Sequence, residues 1–142
     1  MTLGGCLVQV LRGRFHVFRE AAAIGAPIPV RPGWSGPWDN RFHLAVAGGL
    51  SPAEGWTIAP LGENGLRQAL GRFAVRLKRH PMPLPARLAL PALWHGEHLA
   101  AQPHLGLGQG LAARPAPRHT VTTCGFTVAP APPHTIYSSV PC

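Results

Sequence analysis

The stretch Trp38-Asp39-Asn40-Arg41-Phe42-His43-Leu44-Ala45-Val46 has the clearest period-two pattern in the chain. Positions 38, 40, 42, 44 and 46 form a mostly apolar set, whereas Asp39, Arg41 and His43 fall between them. Because successive side chains of a strand point to opposite faces, the stretch predicts one β-strand with an apolar face and a charged face. Asp39 and Arg41 would share the charged face within pairing distance, which favours a structural ion pair over a catalytic one.

Other local patterns predict two hairpins and a further strand. Residues 7–18 predict a hairpin that turns at Arg12-Gly13 and places four apolar side chains on one face: Val8, Val10, Phe15 and Val17. Residues 25–37 contain four prolines and predict an extended connection, and residues 56–61 predict a strand that ends at Gly62. Residues 92–94 and 99–101 flank His95-Gly96-Glu97-His98, which has the composition of a four-residue hairpin loop.

One amphipathic helix is predicted by four apolar residues on one side of a 3.6-residue period: Leu66, Leu70, Phe73 and Leu77. Asn64 is the expected N-cap, and Pro81 ends the helix. From about Gly106 the periodicity decays, with weak strand patterns at residues 120–123 and 126–128 and an unpacked tail after them. The chain is therefore predicted to be a strand-rich α+β domain over residues 1–106, with one main helix and a partly disordered, Pro/Gly-rich extension over residues 107–142.

The charge of the chain favours an anionic partner. It has 142 residues with 13 Lys and Arg against 5 Asp and Glu, a formal net charge of +8. Such a balance is typical of proteins that contact nucleic acid or a lipid surface. Every cation except Lys78 is Arg, and Ala, Gly and Pro are abundant, so a GC-rich coding bias with solvated, unpartnered arginines is the alternative interpretation.

The three cysteines are Cys6, Cys124 and Cys142, an odd number at wide spacings that predicts neither a disulfide framework nor a paired-cysteine metal motif. Such a chain fits a reducing compartment. The start of the chain lacks the basic region of a signal peptide, and prolines interrupt the longest apolar run before it reaches the length of a membrane span. We therefore expect a cytoplasmic protein that contacts no membrane.

Three candidate catalytic or ligand-binding patterns are weak. His95-x-x-His98, with His104 and Cys124 downstream, does not match zinc-ligand spacing, so no metal is expected. Residues 106–110 have the glycines of a dinucleotide loop but lack the strand-turn-helix context that such a loop needs, so they are expected to form a flexible connection. Asp39 is the sole aspartate, and no Ser or Cys lies in a nucleophile-elbow setting, so a catalytic triad is excluded.

Short motifs in a fixed order carry a family resemblance. They are Thr2-Leu3-Gly4-Gly5-Cys6, Arg19-Glu20, Trp38-Asp39-Asn40-Arg41-Phe42, Leu61-Gly62, Leu90-Pro91-Ala92-Leu93-Trp94 and Pro103-His104-Leu105-Gly106. This ordered set resembles the carboxy-terminal region of proteobacterial tRNA(Ile)-lysidine synthetases over residues 2–106. Enzymes of that family use ATP to adenylate the wobble cytidine of an isoleucine tRNA, and lysine then displaces the adenylate.

The resemblance implies a supporting role for this chain. The family's catalytic domain precedes this region and binds ATP through a Ser-Gly-Gly-x-Asp-Ser loop, whose serines and aspartate are missing at Gly4-Gly5. No catalytic residue or cofactor is therefore assigned here, and the chain alone is not expected to be active. The partners that the resemblance implies are tRNA and a catalytic ATP-loop domain in cis or in trans.

The resemblance and the charge together suggest which residues contact tRNA phosphates. The first group is Arg67, Arg72, Arg76, Lys78 and Arg79, followed by Arg12, Arg14 and Arg87. The structural motif residues are Arg19, Glu20, Trp38, Asp39, Arg41, Phe42 and Trp94. Two alternatives remain open at this point: a free-standing basic RNA-binding module and a truncated, non-functional remnant.

Overall fold

The computed structural model describes residues 2–11, 13–51 and 54–116. Its strands are β1 (Thr2–Leu3), β2 (Cys6–Leu11), β3 (Arg14–Arg19), β4 (Ile28–Pro29), β5 (Ser35–Trp38), β6 (Phe42–Val46), β7 (Trp56–Pro60), β8 (Pro91–His95), β9 (His98–Gln102), β10 (Leu107–Gly108) and β11 (Leu111–Pro115). The helices of the described part are α1 (Gly62–Lys78) and α2 (Leu84–Leu88), with 3-10 turns at Ala21–Ala23 and Pro103–Leu105. The predicted strand-rich α+β class with one main helix is confirmed.

The core consists of three layers. The five-stranded sheet, in the order β10-β9-β8-β7-β4, lies between α1 and a second sheet of order β11-β6-β5. Successive residues of β8 serve the two interfaces, since Trp94 packs with Ala69 and Leu77 of α1 while Leu93 packs with Leu44 of β6. A central strand buried on both faces explains why β8 is almost continuously apolar. The third sheet, β1-β2-β3, packs against α2 through β3.

The stretch 38–46 is a hairpin, so the prediction of one continuous strand is wrong. Strand β5 ends at Trp38 and β6 begins at Phe42, with these two residues directly paired. The chain reverses between them because Asp39 and Asn40 adopt positive φ angles of 48° and 52°. Asp and Asn tolerate this left-handed region better than other non-glycine residues.

Helix α1 begins earlier than predicted, and its buried face overlaps the predicted one only in part, since Leu66 and Leu77 pack against the core as predicted. It starts at Gly62 with Leu61 as its N-cap, so Asn64 lies inside the first turn. Leu70, predicted on the buried side, is exposed, whereas Gly65 and Ala69 are buried. A Cβ atom added to Gly65 would lie 3.0 Å from the Trp94 ring, so the small residue permits close approach of the helix to the sheet.

The two predicted hairpins are confirmed. The register of β2 and β3 pairs Val8 with Val17 and Val10 with Phe15 on one face. Strands β8 and β9 turn through two residues, Gly96 and Glu97, because the flanking histidines join the ladder as a pair. The loop is thus shorter than the four residues predicted.

Packed structure continues beyond residue 106. Strand β10 pairs with β9, β11 pairs with β6, and Leu107 and Leu111 are buried, so the expectation that residues 106–110 form a flexible connection is wrong. The remainder of the predicted extension, with its weak strand patterns and tail, lies outside the described residues. Cys6 is 2% exposed and disulfide-bonded. The odd number and wide spacing of the three cysteines did not predict this bond. Among the described residues, no helix has the length and apolarity to cross a membrane.

Candidate nucleic-acid interface

Asp39 is the centre of a buried ion network. Its two carboxylate oxygens accept hydrogen bonds from Nε of Arg19 at 3.2 Å each, from Nη2 of Arg19 at 3.0 Å and from Nε of Arg41 at 2.6 Å. The Asp39 side chain is only 8% exposed, and those of the two arginines are 17% and 18% exposed. We call Arg19, Asp39 and Arg41 the Asp39 junction. The ion pair expected between Asp39 and Arg41 is present, although it spans a turn rather than a strand.

The junction ties distant parts of the chain together through backbone carbonyls. Nη1 of Arg19 donates to the Gly5 carbonyl at 3.0 Å, and its Nη2 donates to the Ala23 carbonyl at 2.8 Å. Nη2 of Arg41 donates to the Ala89 carbonyl at 2.6 Å, next to Leu90. Residues of three of the resembled motifs, which are far apart in sequence, therefore meet in one network. Five of its six guanidinium nitrogens and both carboxylate oxygens make hydrogen bonds within the protein, which indicates a structural role.

Aromatic rings surround the Arg41 guanidinium. Its carbon lies 5.5 Å from the centroid of Trp38 and 5.3 Å from that of Phe42, within cation–π range. Burial lowers the pKa of Arg41, while the hydrogen bond and charge of Asp39 act in the opposite direction. An arginine remains protonated despite such a shift, so it supplies a fixed positive charge here.

His104 lies on the other side of Phe42, with ring centroids 5.0 Å apart. Its Nδ1 is 3.2 Å from the Nε2 of Gln102, a fully buried amide that also donates to Pro91 and accepts from the Leu105 backbone. Burial lowers the pKa of His104, and the charge of Arg41 lowers it further. Both effects favour the neutral imidazole of His104 in the folded protein.

This shift predicts that stability decreases on acidification. The ordinary pKa of the imidazole is 6.5, so below that pH the unfolded chain takes up a proton that folded His104 resists. The contribution of His104 to the free energy of unfolding is fully present above the pKa of the unfolded chain. It is lost as the pH falls towards the lowered pKa of His104 in the folded protein. Urea unfolding at about pH 7.5 and about pH 5 should show a smaller pH effect in His104→Gln than in wild type. The matched change of exposed His43→Gln should preserve the wild-type pH effect, and equal pH effects in all three proteins would contradict the assignment.

The predicted phosphate contacts lie mainly on α1. Four of them have exposed side chains on or just after this helix: Arg67, Arg72, Lys78 and Arg79. The side chain of Arg76 lies outside the described part of the structure. Arg67 and Lys78 are eleven residues apart and Arg72 and Arg79 seven, so each pair follows one side of the helix. The two pairs are separated by about 140° around the axis, given 3.6 residues per turn. The cations therefore form two rows rather than one stripe.

The other predicted contacts have different placements. Arg14 is exposed at the start of β3, and Arg12 lies outside the described residues. Arg87 is used inside the protein, since its three nitrogens donate to the carbonyls of Leu77, His80 and Met82 at 2.6 to 2.9 Å. It thereby caps the carboxy-terminal end of α1, whose last carbonyls lack helical partners. We therefore leave Arg87 out of the interface.

The remaining motif residues have backbone or core contacts. The Glu20 amide donates to the Gly5 carbonyl at 2.9 Å, close to the Asp39 junction. Trp94 is buried in the core against α1, and its Nε1–H has no hydrogen-bond partner among the described residues. Trp34, in the loop before β5, is half-buried over Gly36.

Concave features of the described residues are small. One cavity of about 80 Å³ lies beside Arg72 and Gln68, and a shallow apolar groove of about 320 Å³ lies between α1 and α2. No three His, Cys, Asp or Glu side chains gather into a metal-binding group in the part of the chain that is described. The exposed cations are thus a more prominent candidate than either of these two concave features.

Sequence reasoning identified the junction residues but not their full set of partners. The carbonyl acceptors at Gly5, Ala23 and Ala89 have no sequence signal, because any residue supplies a carbonyl. No protein-family model, curated protein or solved structure matches the chain.

Proposed function

We propose that this chain is the carboxy-terminal portion of a tRNA(Ile)-lysidine synthetase and that it helps to place tRNA through the exposed cations of α1. The observation that carries the proposal is the charge of this helix: residues 62–79 contain five cations and one acid, Glu63. Four of the five cations have exposed side chains. Ion pairs among the described residues all involve Asp39, so these four cations are not neutralised by a neighbouring carboxylate.

Such an arrangement suits phosphate contacts that fix position without reading sequence. Arginine and lysine side chains contact phosphate oxygens wherever the backbone passes, and the released counterions favour binding. Rows on two sides of one helix can contact phosphates on either side of a groove or on two neighbouring RNA strands. Placement of a substrate for a separate active site requires this kind of contact rather than a pocket.

The Asp39 junction supports the family assignment in a different way. Gly5, Arg19, Asp39 and Arg41 come from three of the resembled motifs, and Ala89 immediately precedes a fourth. A shared structural network is a physical reason for these motifs to occur together in one chain. The packed core also favours a folded domain over a remnant.

Charge-reversal variants test the RNA contacts. Arg67→Glu/Lys78→Glu and Arg72→Glu/Arg79→Glu should each weaken tRNA binding by at least about tenfold at low salt and should reduce the salt dependence. The control Arg31→Glu/Arg114→Glu makes the same charge change at exposed residues away from α1. Fluorescence anisotropy with labelled tRNA measures all four proteins. Equal weakening in the control would indicate a non-specific charge effect and contradict the assigned surface.

A labelling assay tests whether this chain depends on a separate catalytic domain for ligase activity. The chain alone should not incorporate labelled lysine into tRNA(Ile) with ATP, because the ATP loop belongs to the proposed catalytic partner. Incorporation by the purified chain would overturn this part of the proposal. A free-standing RNA-binding module would instead bind tRNA without improving the activity of an added catalytic domain.

The proposed function places the protein in the cytoplasm, where the resembled enzymes modify tRNA. Disulfide bonds are rare in reducing compartments, and Cys6 is disulfide-bonded in this structure. Thiol labelling of the protein in intact cells tests whether Cys6 is oxidised, and cell fractionation tests whether the protein lies in the cytoplasm. Recovery outside the cytoplasm would contradict the proposed location.

A further inference from the structure

The groove between α1 and α2 is lined by leucines that the proposed function does not use. Two pairs, each spaced by one helical turn, face it: Leu66 with Leu70 on α1 and Leu84 with Leu88 on α2. Leu70 is 37% exposed and Leu84 is 53% exposed. Apolar side chains that are exposed together in one place mark a contact site, whereas single ones do not. We call this feature the leucine groove.

The charges at the rim of the leucine groove are balanced. Glu63 and Arg67, which are one turn apart on α1, also line it. The space between the four leucines therefore suits apolar side chains from a segment that carries little charge.

The last described residue of the chain lies close to the leucine groove. The Ala116 amide donates to the Arg41 carbonyl at 2.8 Å, and Nη2 of Arg41 donates to the Ala89 carbonyl at 2.6 Å. Ala89 directly follows Leu88, which lines the groove. Ten extended residues span up to about 33 Å, so the chain that follows Ala116 is long enough to reach the groove.

Residues 117–142 have the composition that the leucine groove would bind. They contain no Asp, Glu or Lys and one Arg, Arg118. Phe126 and Val128 alternate with Thr127, so they would share one face in an extended conformation. Phe126 is the largest side chain of this segment without a polar atom, and its burial is correspondingly favourable.

The disulfide of Cys6 gives a second argument for the same segment. The other cysteines of the chain, Cys124 and Cys142, both belong to residues 117–142. Cys6 is paired with Arg19 of β3, and β3 packs against α2. A bond from Cys6 to either of these cysteines would bring the segment to the side of the protein where α2 lies.

We propose that residues 117–142 of this chain fold back over the leucine groove and that Phe126 packs between Leu70 and Leu84. The segment would then cover the exposed leucines of both helices. This inference does not require RNA binding, so it stands or fails independently of the proposed function.

Chymotrypsin cleavage after Phe126 in the full chain tests the contact. Cleavage of a site that must first open follows the population of the open form. Leu70→Glu/Leu84→Glu should speed this cleavage by about tenfold or more, because carboxylates in the groove disfavour the ring. Val10→Glu/Phe15→Glu makes the same change at two other exposed apolar side chains and should cleave at the wild-type rate. Equal rates in wild type and the groove variant, or equal acceleration in the control, would overturn the inference.

A thiol reductant separates the groove contact from the disulfide. With the bond reduced, wild type should still be protected at Phe126, and Leu70→Glu/Leu84→Glu should still lose this protection. Protection that disappears on reduction and does not respond to the groove variant would assign the restraint to the bond and overturn the docking.

A photo-crosslinking group identifies the occupant directly. Leu84→benzoylphenylalanine in the full chain should crosslink to residues 117–142 of the same chain, as mapped by mass spectrometry. Glu54→benzoylphenylalanine is the control and should give no such crosslink, because Glu54 is exposed at the other end of the β7–β8 ladder. Crosslinks from Leu84→benzoylphenylalanine to a second copy of the chain, or none to residues 117–142, would overturn the inference.

Discussion

Asp39→Asn is expected to lower the free energy of unfolding by about 3 kcal/mol. The change keeps the shape of the side chain and a residue type that tolerates positive φ, but it removes the single negative charge between Arg19 and Arg41. Two largely buried guanidinium groups would then face each other without compensation, and breaking a buried ion pair is costly for this reason. Chemical denaturation monitored by tryptophan fluorescence measures the loss.

Glu54→Gln is the matched control, because it removes an exposed carboxylate by the same chemical change. Its effect should stay within about 0.5 kcal/mol. Replacing Arg41 as well should cost less than the sum of the two single losses, since the residues belong to one network. Additive losses, or an effect of Asp39→Asn as small as that of the control, would contradict a structural role for the junction.

Trp94→Ala is expected to destabilise the protein by about 3 to 5 kcal/mol. The ring fills the space between β8 and α1, where Gly65 lets the helix approach, and its removal leaves a cavity in the core. Trp94→Phe should cost much less, because it keeps most of the ring volume and removes a buried Nε1–H that has no partner among the described residues. Urea unfolding monitored by circular dichroism measures both changes.

The difference in unfolding free energy between Trp94→Ala and Trp94→Phe separates the packing of the ring from any hydrogen bond of its Nε1–H. If Trp94→Phe were as destabilising as Trp94→Ala, the indole nitrogen would have to make an important hydrogen bond. The wild-type transition itself is also informative, because a packed domain unfolds cooperatively. A broad transition without cooperativity would favour the interpretation of the chain as a truncated remnant.

Local patterns in the sequence predicted the elements that depend on near neighbours. The β2–β3 hairpin follows from alternation around Arg12-Gly13, and β7, β8 and β9 follow from short apolar runs between turn residues. The stretch 38–46 shows why such patterns can mislead. Trp38 and Phe42 are directly opposite in the ladder and therefore share a face, so the period of two continues through the turn. One strand and a tight hairpin consequently give the same alternation here.

Long-range packing could not be read from local sequence. Strand β11 pairs with β6, more than sixty residues earlier, and nothing in its own Ala- and Arg-containing sequence specifies that neighbour. The exposure of Leu70 depends on the absence of a covering element over that side of α1 in the described structure. Arg87 was predicted as a phosphate contact, yet it caps α1 because the carbonyls of Leu77, His80 and Met82 all face its guanidinium group.

In the candidate interface, too, local sequence predicted which residues take part, whereas long-range packing decided their exposure. Charge and spacing identified the α1 cations, but the division into two rows depends on the observed helix bounds and exposures. The hairpin face of Val10 and Phe15 was predicted as a shared face, whereas its exposure to solvent depends on what packs around the hairpin in three dimensions. Sequence thus located the residues, and tertiary structure separated contacts made inside the protein from those left for a partner.

The most direct test of the central claim is the salt dependence of tRNA binding by the wild-type chain. If the four exposed cations of α1 contact phosphates, the logarithm of the association constant should fall linearly with the logarithm of salt concentration, with a slope of about −3 to −4. Titrations from about 50 to about 200 mM salt cover the useful range. Absence of saturable tRNA binding at the lowest salt, or binding that is independent of salt, would contradict the proposed role in tRNA placement.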